Sequence, residues 1–219
     1  MMRTIQYSFP SKADGLEISC LAVVPELGRD EKYKGIIQIV HGMSEYKERY
    51  LPFMEYMAER KYVSVIHDHR GHGKSVRSKE DLGYMYGGGA DAMLQDIHTV
   101  NCLIRDHFPE LPLILFGHSM GSLAVRAYAA HHDGCMDMLI VCGSPSYNVL
   151  RPVGVALGKK RKKLVFGPKH SAGLIEMMSF GSYAMRFKKE KNRFSWICSD
   201  PQVVKDYSDS ELLRIYFYR

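Results

Sequence analysis

Leu113-Ile114-Leu115-Phe116-Gly117-His118-Ser119-Met120-Gly121, which follows Pro112, is the stretch on which the fold turns. An apolar strand-like run meets Gly-x-Ser-x-Gly, and a helical pattern follows from Gly121 to Ala130. A strand that turns this sharply into a helix forces the central residue into a strained backbone conformation. The turn also brings neighbouring backbone so close that positions two before and two after, Gly117 and Gly121, accept only very small residues. Ser119 Oγ is then left above the sheet, at the positive end of the following helix. This is the strand–elbow–helix setting of a nucleophilic serine. The competing reading, a glycine-rich turn whose serine merely caps the helix, leaves both glycines without a reason.

Outward from the elbow, short apolar runs alternate with helical patterns. Ile5–Phe9 and Leu16–Val24 read as two strands joined through Ala13-Asp14-Gly15, an antiparallel pair at a sheet edge. Gly35–Val40 is a continuous apolar run, as expected of a strand covered on both faces. Glu45–Arg60 reads as a helix, Tyr62–Ile66 as a strand, and Ala90–His107 as a long helix with Met93, Ile97, Val100 and Ile104 on one stripe. Met138–Val141 reads as a further strand. Alternation of this kind means an α/β fold with a mostly parallel sheet, whose ligands bind at the carboxyl ends of the strands. Chemistry is therefore expected in the loops after Val40, Ile66, Phe116 and Val141. After Pro145 the alternation stops, and Leu150–Leu164, Ser171–Arg186 and Pro201–Tyr207 read as helices or loops, an all-helical insertion placed to act as a lid.

Composition agrees with an ordinary folded domain. Hydrophobic residues are 46% and charged ones 25% of 219 residues, which excludes a disordered chain. The longest stretch free of Lys, Arg, Asp and Glu is Leu111–Val125, 15 residues including a histidine, too short and too polar to span a bilayer. Met1–Gly15 has no apolar core of a secretion signal. The five cysteines (Cys20, Cys102, Cys135, Cys142 and Cys198) read as reduced, mostly buried thiols of a cytosolic protein. Net charge is +6, but residues 1–150 carry 15 basic and 18 acidic side chains, and residues 151–219 carry 15 and 6. Two regions with different surroundings meet near Arg151.

Two further motifs sit at strand ends. His41-Gly42-Met43-Ser44-Glu45 follows Val40. An acyl-transfer serine needs two backbone N–H groups aimed at the developing oxyanion. One belongs to the residue after the nucleophile, Met120, and the other, by position in this His-Gly loop, to Met43. His67-Asp68-His69-Arg70-Gly71-His72-Gly73-Lys74-Ser75 holds three histidines and an aspartate within six residues, which looks like a metal cluster. His-x-His-x-x-His resembles the metallo-β-lactamase ligand run, but Gly71 stands where that pattern carries Asp, and no later ligand set follows at suitable spacing. The favoured reading is a polar loop packed beneath the rim of the site, with no metal and no cofactor.

Taken together, HGMSEYKERY, DHRGHGKS and GHSMGS, in this order, resemble the monoacylglycerol lipase and lysophospholipase branch of the α/β-hydrolases. The resemblance covers about residues 15–207. It implies an α/β-hydrolase fold, Ser119 as nucleophile, the Met43 and Met120 N–H groups as oxyanion hole, and a helical lid over an acyl pocket. Residues 1–145 would be the N-terminal part of the hydrolase core, 146–207 the lid, and 208–219 an aberrant tail. The family's triad acid and histidine lie after the lid, in G-x-x-D and G-x-x-H settings, and the chain ends before either, so the final strands and helices are expected to be missing. His131 and His132 end the helix that Ser119 begins, His170 belongs to the lid, and Asp133 and Asp137 precede a strand. None is placed as a triad member. Ser210–Arg219 can be spelled so that the frame starting one base later reads P-N-C-C-G-F-T-F-T, close to the family's own continuation. The tail is therefore read as a frameshift product, and the chain on its own as nearly inactive and poorly stable.

Fold and elbow do not select the substrate. A peptidase or a small-ester esterase of the same fold stays open, as does a non-catalytic chain that keeps only lipid binding. The run Lys159-Lys160-Arg161-Lys162-Lys163, followed by Leu164, Val165 and Phe166, reads first as a solvated face of the lid. The functional alternative is peripheral contact with an anionic membrane. Nucleic acid is not expected as a partner, because no base-reading module accompanies the charges.

Overall fold

β-branched and apolar residues recur in six runs, and all six become strands of one sheet in the computed structural model. The structure describes residues 1–146, 183, 185–187, 189, 190, 192 and 194–213. The strands are β1 (Met2–Pro10), β2 (Glu17–Pro25), β3 (Gly35–Val40), β4 (Tyr62–His67), β5 (Leu113–His118) and β6 (Met138–Cys142), in spatial order β1-β2-β4-β3-β5-β6. β1 pairs antiparallel with β2, and β2 antiparallel with β4. β3 runs parallel to both β4 and β5, and β5 parallel to β6. The antiparallel pair thus lies at one edge and the parallel block carries the crossovers, as the alternation of elements requires.

Three helices cover the sheet: α1 (Leu51–Ala58), α2 (Gly89–His107) and α3 (Met120–Ala129). Side chains alternate across a strand, so β1–β5 feed two cores. Ile36, Val40, Val63, Val65, Leu113 and Leu115 join the α2 stripe Met93, Ile97, Val100 and Ile104 and the α3 residues Ala124, Val125 and Tyr128. On the opposite face Leu21, Val23, Ile37, Ile39 and Ile66 pack against Met54 and Ala58 of α1. Each fully buried aliphatic side chain contributes about 1.5–3 kcal/mol.

Two expectations are corrected. Glu45–Arg60 is not one helix: a 3-10 turn over Lys47–Tyr50 precedes α1, which starts beside Pro52. Proline lacks the N–H a helix interior needs and fits only its first turn. The cysteines are not mostly buried: Cys20 is buried, Cys135 and Cys198 are half-buried, and Cys102 and Cys142 are exposed. Cys102 lies off the buried stripe of α2, and Cys142 ends β6, all five residues of which are exposed despite their apolar character.

The chain divides into two compact units, Met1–Lys79 with Met85–Ser146, and Glu80–Tyr84 with Tyr147–Arg219. The sheet and α1–α3 belong to the first. In the second, α4 (Pro201–Asp209) opens with Pro201 in its first turn and Asp200 as cap, the Asp200 carboxylate accepting the Gln202 N–H at 2.8 Å. Phe194 meets Tyr207 edge-on and Tyr183 stacks on Trp196. The expected lid falls largely outside the described residues, as do Lys159–Lys163 and His170. Among the described residues no helix is long and apolar enough to cross a membrane.

Candidate active site

β5 delivers its last residue, His118, to a turn in which Ser119 takes φ 51 and ψ −116. A serine at positive φ is sterically strained, and close packing holds it there. A Cβ on Gly121 would lie 2.6 Å from His41 O and 2.7 Å from Val40 C. One on Gly117 would lie 2.6 Å from Gly121 O and closer still to Val125. β5, α3 and the end of β3 therefore touch through backbone at the elbow. Ser119 N–H donates to Cys142 O at 3.0 Å, and Ser119 O accepts the Ser122 N–H at 2.9 Å, closing the first turn of α3. The Ser119 side chain makes no cap bond, so the serine is not there to cap the helix.

The loop after β3 lies against the nucleophile. A Cβ on Gly42 would stand 3.1 Å from Ser119 Cβ and 3.3 Å from His118 Nδ1. Glu45 folds back within this loop: its Oε2 accepts from Gly42 N–H at 2.7 Å, from the Tyr50 hydroxyl at 2.8 Å and from His118 Nδ1–H at 3.0 Å. Glu45 thus ties the loop to the residue just before Ser119. Burial works to raise the Glu45 carboxyl, but the hydrogen bond and charge of His118 lead the contacts that hold it below its ordinary value. The bond to Glu45 in turn raises His118. Met43 and Met120 are half-buried, and among the described residues neither N–H has a hydrogen-bond partner. Unpaired N–H groups beside a strained serine are what an oxyanion needs.

Beneath the loop lies a buried polar layer built from the third motif. His41 Nδ1 faces Gly42 O at 2.7 Å and must carry a proton, while His41 Nε2 accepts the His69 N–H at 3.0 Å. His69 Nε2–H donates to His41 O at 3.0 Å. These contacts fix both neutral tautomers. Burial pushes His41, His67 and His69 well below the usual imidazole value, and His72 down to about 4. Asp68, fully buried, accepts from Lys47 N–H at 2.7 Å, Lys47 Nζ at 2.6 Å and Lys74 N–H at 2.9 Å. Arg70, also fully buried, donates to Asp96, Asp14 and Ser11. The Asp68 carboxylate and the Arg70 guanidinium brace the turn.

Of the residues expected from sequence, Gly117, Ser119, Met120 and Gly121 lie at the carboxyl end of β5, and Met43 follows Gly42, which abuts Ser119, at the carboxyl end of β3. Asp137 accepts from Leu113 N–H at 2.7 Å, at the amino end of β5 and away from Ser119. His132 stacks on Tyr128 and His98 behind α3. Among the described residues no histidine or carboxylate hydrogen-bonds Ser119 Oγ. Glu45, His118 and Lys47 were given no role from sequence. The three-residue step from Gly42 to Glu45 was the available signal, since a carboxylate at that distance readily turns back on a loop N–H.

Residues 31–217 match the profile of the family described as serine aminopeptidase, S33. A monoacylglycerol lipase of Mycolicibacterium smegmatis is 30% identical over 141 residues, 63% of this chain and 48% of that protein. A monoglyceride lipase of Rattus norvegicus is 28% identical over 130 residues, 57% of this chain and 41% of that one. The chain spans about half the length of the curated relatives it matches. Among solved structures, a thermostable carboxyl esterase from Bacillus coagulans superposes with a TM-score of 0.81 at 29% identity, over 99% of this chain and 72% of that one.

Proposed function

Because the chain belongs to the serine aminopeptidase (S33) family, within the α/β-hydrolase fold, we propose that it is a serine ester hydrolase of the lysophospholipase and monoacylglycerol lipase type, cleaving small amphiphilic esters through an acyl-Ser119 intermediate. The observation that carries this is the contact of Gly42 with Ser119, which sets a strained serine against the loop that holds Met43. Ser119 Oγ attacks the ester carbonyl, and the carbonyl oxygen takes up negative charge between the Met43 and Met120 N–H groups. Collapse expels the alcohol, and water then releases the acid. Glu45 and His118 hold the loop in register with the nucleophile rather than touching substrate. The ester preference is supported by the lipase and esterase relatives, while the family description leaves an aminopeptidase as the alternative.

Deprotonation of Ser119 requires a general base oriented by a carboxylate, and the described residues bring neither to its Oγ. Nucleophile and oxyanion hole alone still accelerate acyl transfer by roughly 10³–10⁴ over water. Activated esters expose that residue of activity, because a p-nitrophenolate leaves without being protonated. We expect residues 1–219 to release p-nitrophenolate slowly from medium-chain p-nitrophenyl esters, Ser119→Ala to release none above background, and amino-acid p-nitroanilides to stay intact. Cleavage of the anilides in preference to the esters would replace this reading with the peptidase one.

A further inference from the structure

On the face of the sheet that α2 and α3 cover, two histidines and a cysteine converge. The ligand atoms of His98, His132 and Cys135 all lie within 4.8 Å of one another. His98 is on α2, His132 follows the end of α3, and Cys135 closes the short 3-10 turn that leads into β6. The His98 and His132 rings stack at 4.5 Å. One turn along α2 from His98, Cys102 places its Sγ 3.6 Å from His98 Nε2. The geometry points to a site for a borderline-soft divalent cation of the zinc class, held by His98, His132 and Cys135 with Cys102 as fourth ligand.

The ligand chemistry selects the metal class. Two imidazoles and two thiolates suit zinc and exclude the oxygen-seeking calcium and magnesium. Zn–S bonds of about 2.3 Å and Zn–N bonds of about 2.0–2.1 Å at a tetrahedral angle put sulfur and nitrogen about 3.6 Å apart, the separation already present between Cys102 and His98. His132 and Cys135 close on His98 from within 4.8 Å by rotation of the two rings, which are half-buried rather than locked in a core, and Cys102, outside that group, swings in from the exposed face of α2. The surroundings position the ligands as metal sites require. His98 Nδ1 lies 2.9 Å from the Tyr128 hydroxyl, and a proton donated there leaves Nε2 with its lone pair free. The same hydroxyl is hydrogen-bonded to the Cys135 thiol. Asn101 and Arg105 anchor Cys135 through its carbonyl, at 3.1 and 3.3 Å, and leave the thiol facing Tyr128. Binding is balanced by the loss of two thiol protons: two Cys–SH and one M²⁺ give one neutral M(S–Cys)₂ unit with two imidazoles, and two H⁺ pass to solvent. The consequence is mechanical. A cation here fastens α2 to the connection between α3 and β6, the strand with every residue exposed.

Cobalt(II) gives the direct readout, since tetrahedral thiolate ligation produces intense d–d and sulfur-to-cobalt charge-transfer bands. Reduced, chelator-treated protein should bind one equivalent of Co²⁺ with both sets of bands, Zn²⁺ should displace it, and Zn²⁺ should raise the melting temperature. Cys135→Ser and Cys102→Ser should each about halve the charge-transfer band, the double variant should abolish it, and Tyr128→Phe should weaken affinity about tenfold or more. Circular dichroism of each apo variant separates loss of a ligand from loss of fold, and His132→Asn, which should weaken Co²⁺ binding, takes the place of Cys135→Ser should that variant misfold. Absence of any charge-transfer band in folded wild-type protein overturns the site. So does a band that Cys135→Ser leaves at wild-type intensity, or a Cys102–Cys135 disulfide whose reduction yields no cobalt binding.

Discussion

Replacing Gly121 with alanine puts a methyl group where the elbow has no room. The added carbon would stand 2.6 Å from His41 O and 2.7 Å from Val40 C, and closer still to Val40 O. Non-bonded carbons settle about 3.5–4.0 Å apart, so the two segments must separate by roughly an ångström. They cannot do so freely, because the opposing atoms are backbone at the end of β3, which is paired on both sides. Overpacking of this kind costs about 1–3 kcal/mol, and rigid backbone on one side puts the cost at or above the upper end. Alanine returns at most about 1 kcal/mol through its better helix propensity. The net loss is about 2 kcal/mol, which lowers the melting temperature of a chain this long by about 4–8 °C. Thermal melts read by circular dichroism measure it, with Gly87→Ala as control, since a Cβ there meets nothing within 4 Å. A Gly121→Ala protein that melts with the wild type would refute the close approach of elbow and β3.

Acid should unfold the protein through its histidines. His41, His67, His69 and His72 are held neutral by burial, so the folded state binds fewer protons than the unfolded one. Their stability is complete above about pH 6.5 and drains as pH falls toward the folded values; His72, at about 4, alone accounts for about 3 kcal/mol over that window. Urea midpoints at pH 7.5 and pH 5 test this, and equal midpoints would contradict it. His118, raised by Glu45, works with the opposite sign but weakly, because it is partly exposed. Ser119→Gly should relieve about 1–3 kcal/mol of backbone strain, less about 0.4–1 kcal/mol from a looser unfolded chain. It should melt above Ser119→Ala, and the reverse order would show that the elbow is not strained. Lys47→Met leaves Asp68 buried without its cation and should cost about 3–5 kcal/mol; a chemical-denaturation midpoint near that of wild type would place Asp68 in contact with water.

The parts of the fold visible in the sequence are those encoded locally. Leu113–Gly121 carries strand, elbow and helix within nine residues, and the α2 stripe repeats at helical spacing, so both were legible without long-range information. The split of the expected Glu45–Arg60 helix was legible too, had Pro52 been given its weight. What escaped depends on contacts between distant positions. Glu45 meets His118 across 73 residues, and Lys47 meets Asp68 across 21. A lysine so close to charged neighbours looks solvent-exposed until its partner is known. His98 and Cys135 are likewise unrelated in sequence, and only the packing of α2 beside α3 joins them. The same limit applies to catalysis: a short motif can name a nucleophile, but the base that serves it is set by tertiary geometry.

Whether Ser119 is the acyl-accepting nucleophile is tested most directly by prolonged exposure of folded protein to a fluorophosphonate, with the adduct mapped by peptide mass spectrometry. A slowly formed adduct on Ser119, absent from Ser119→Ala, is the predicted result. An adduct on another side chain with Ser119 unmodified, or no adduct at all, would contradict it.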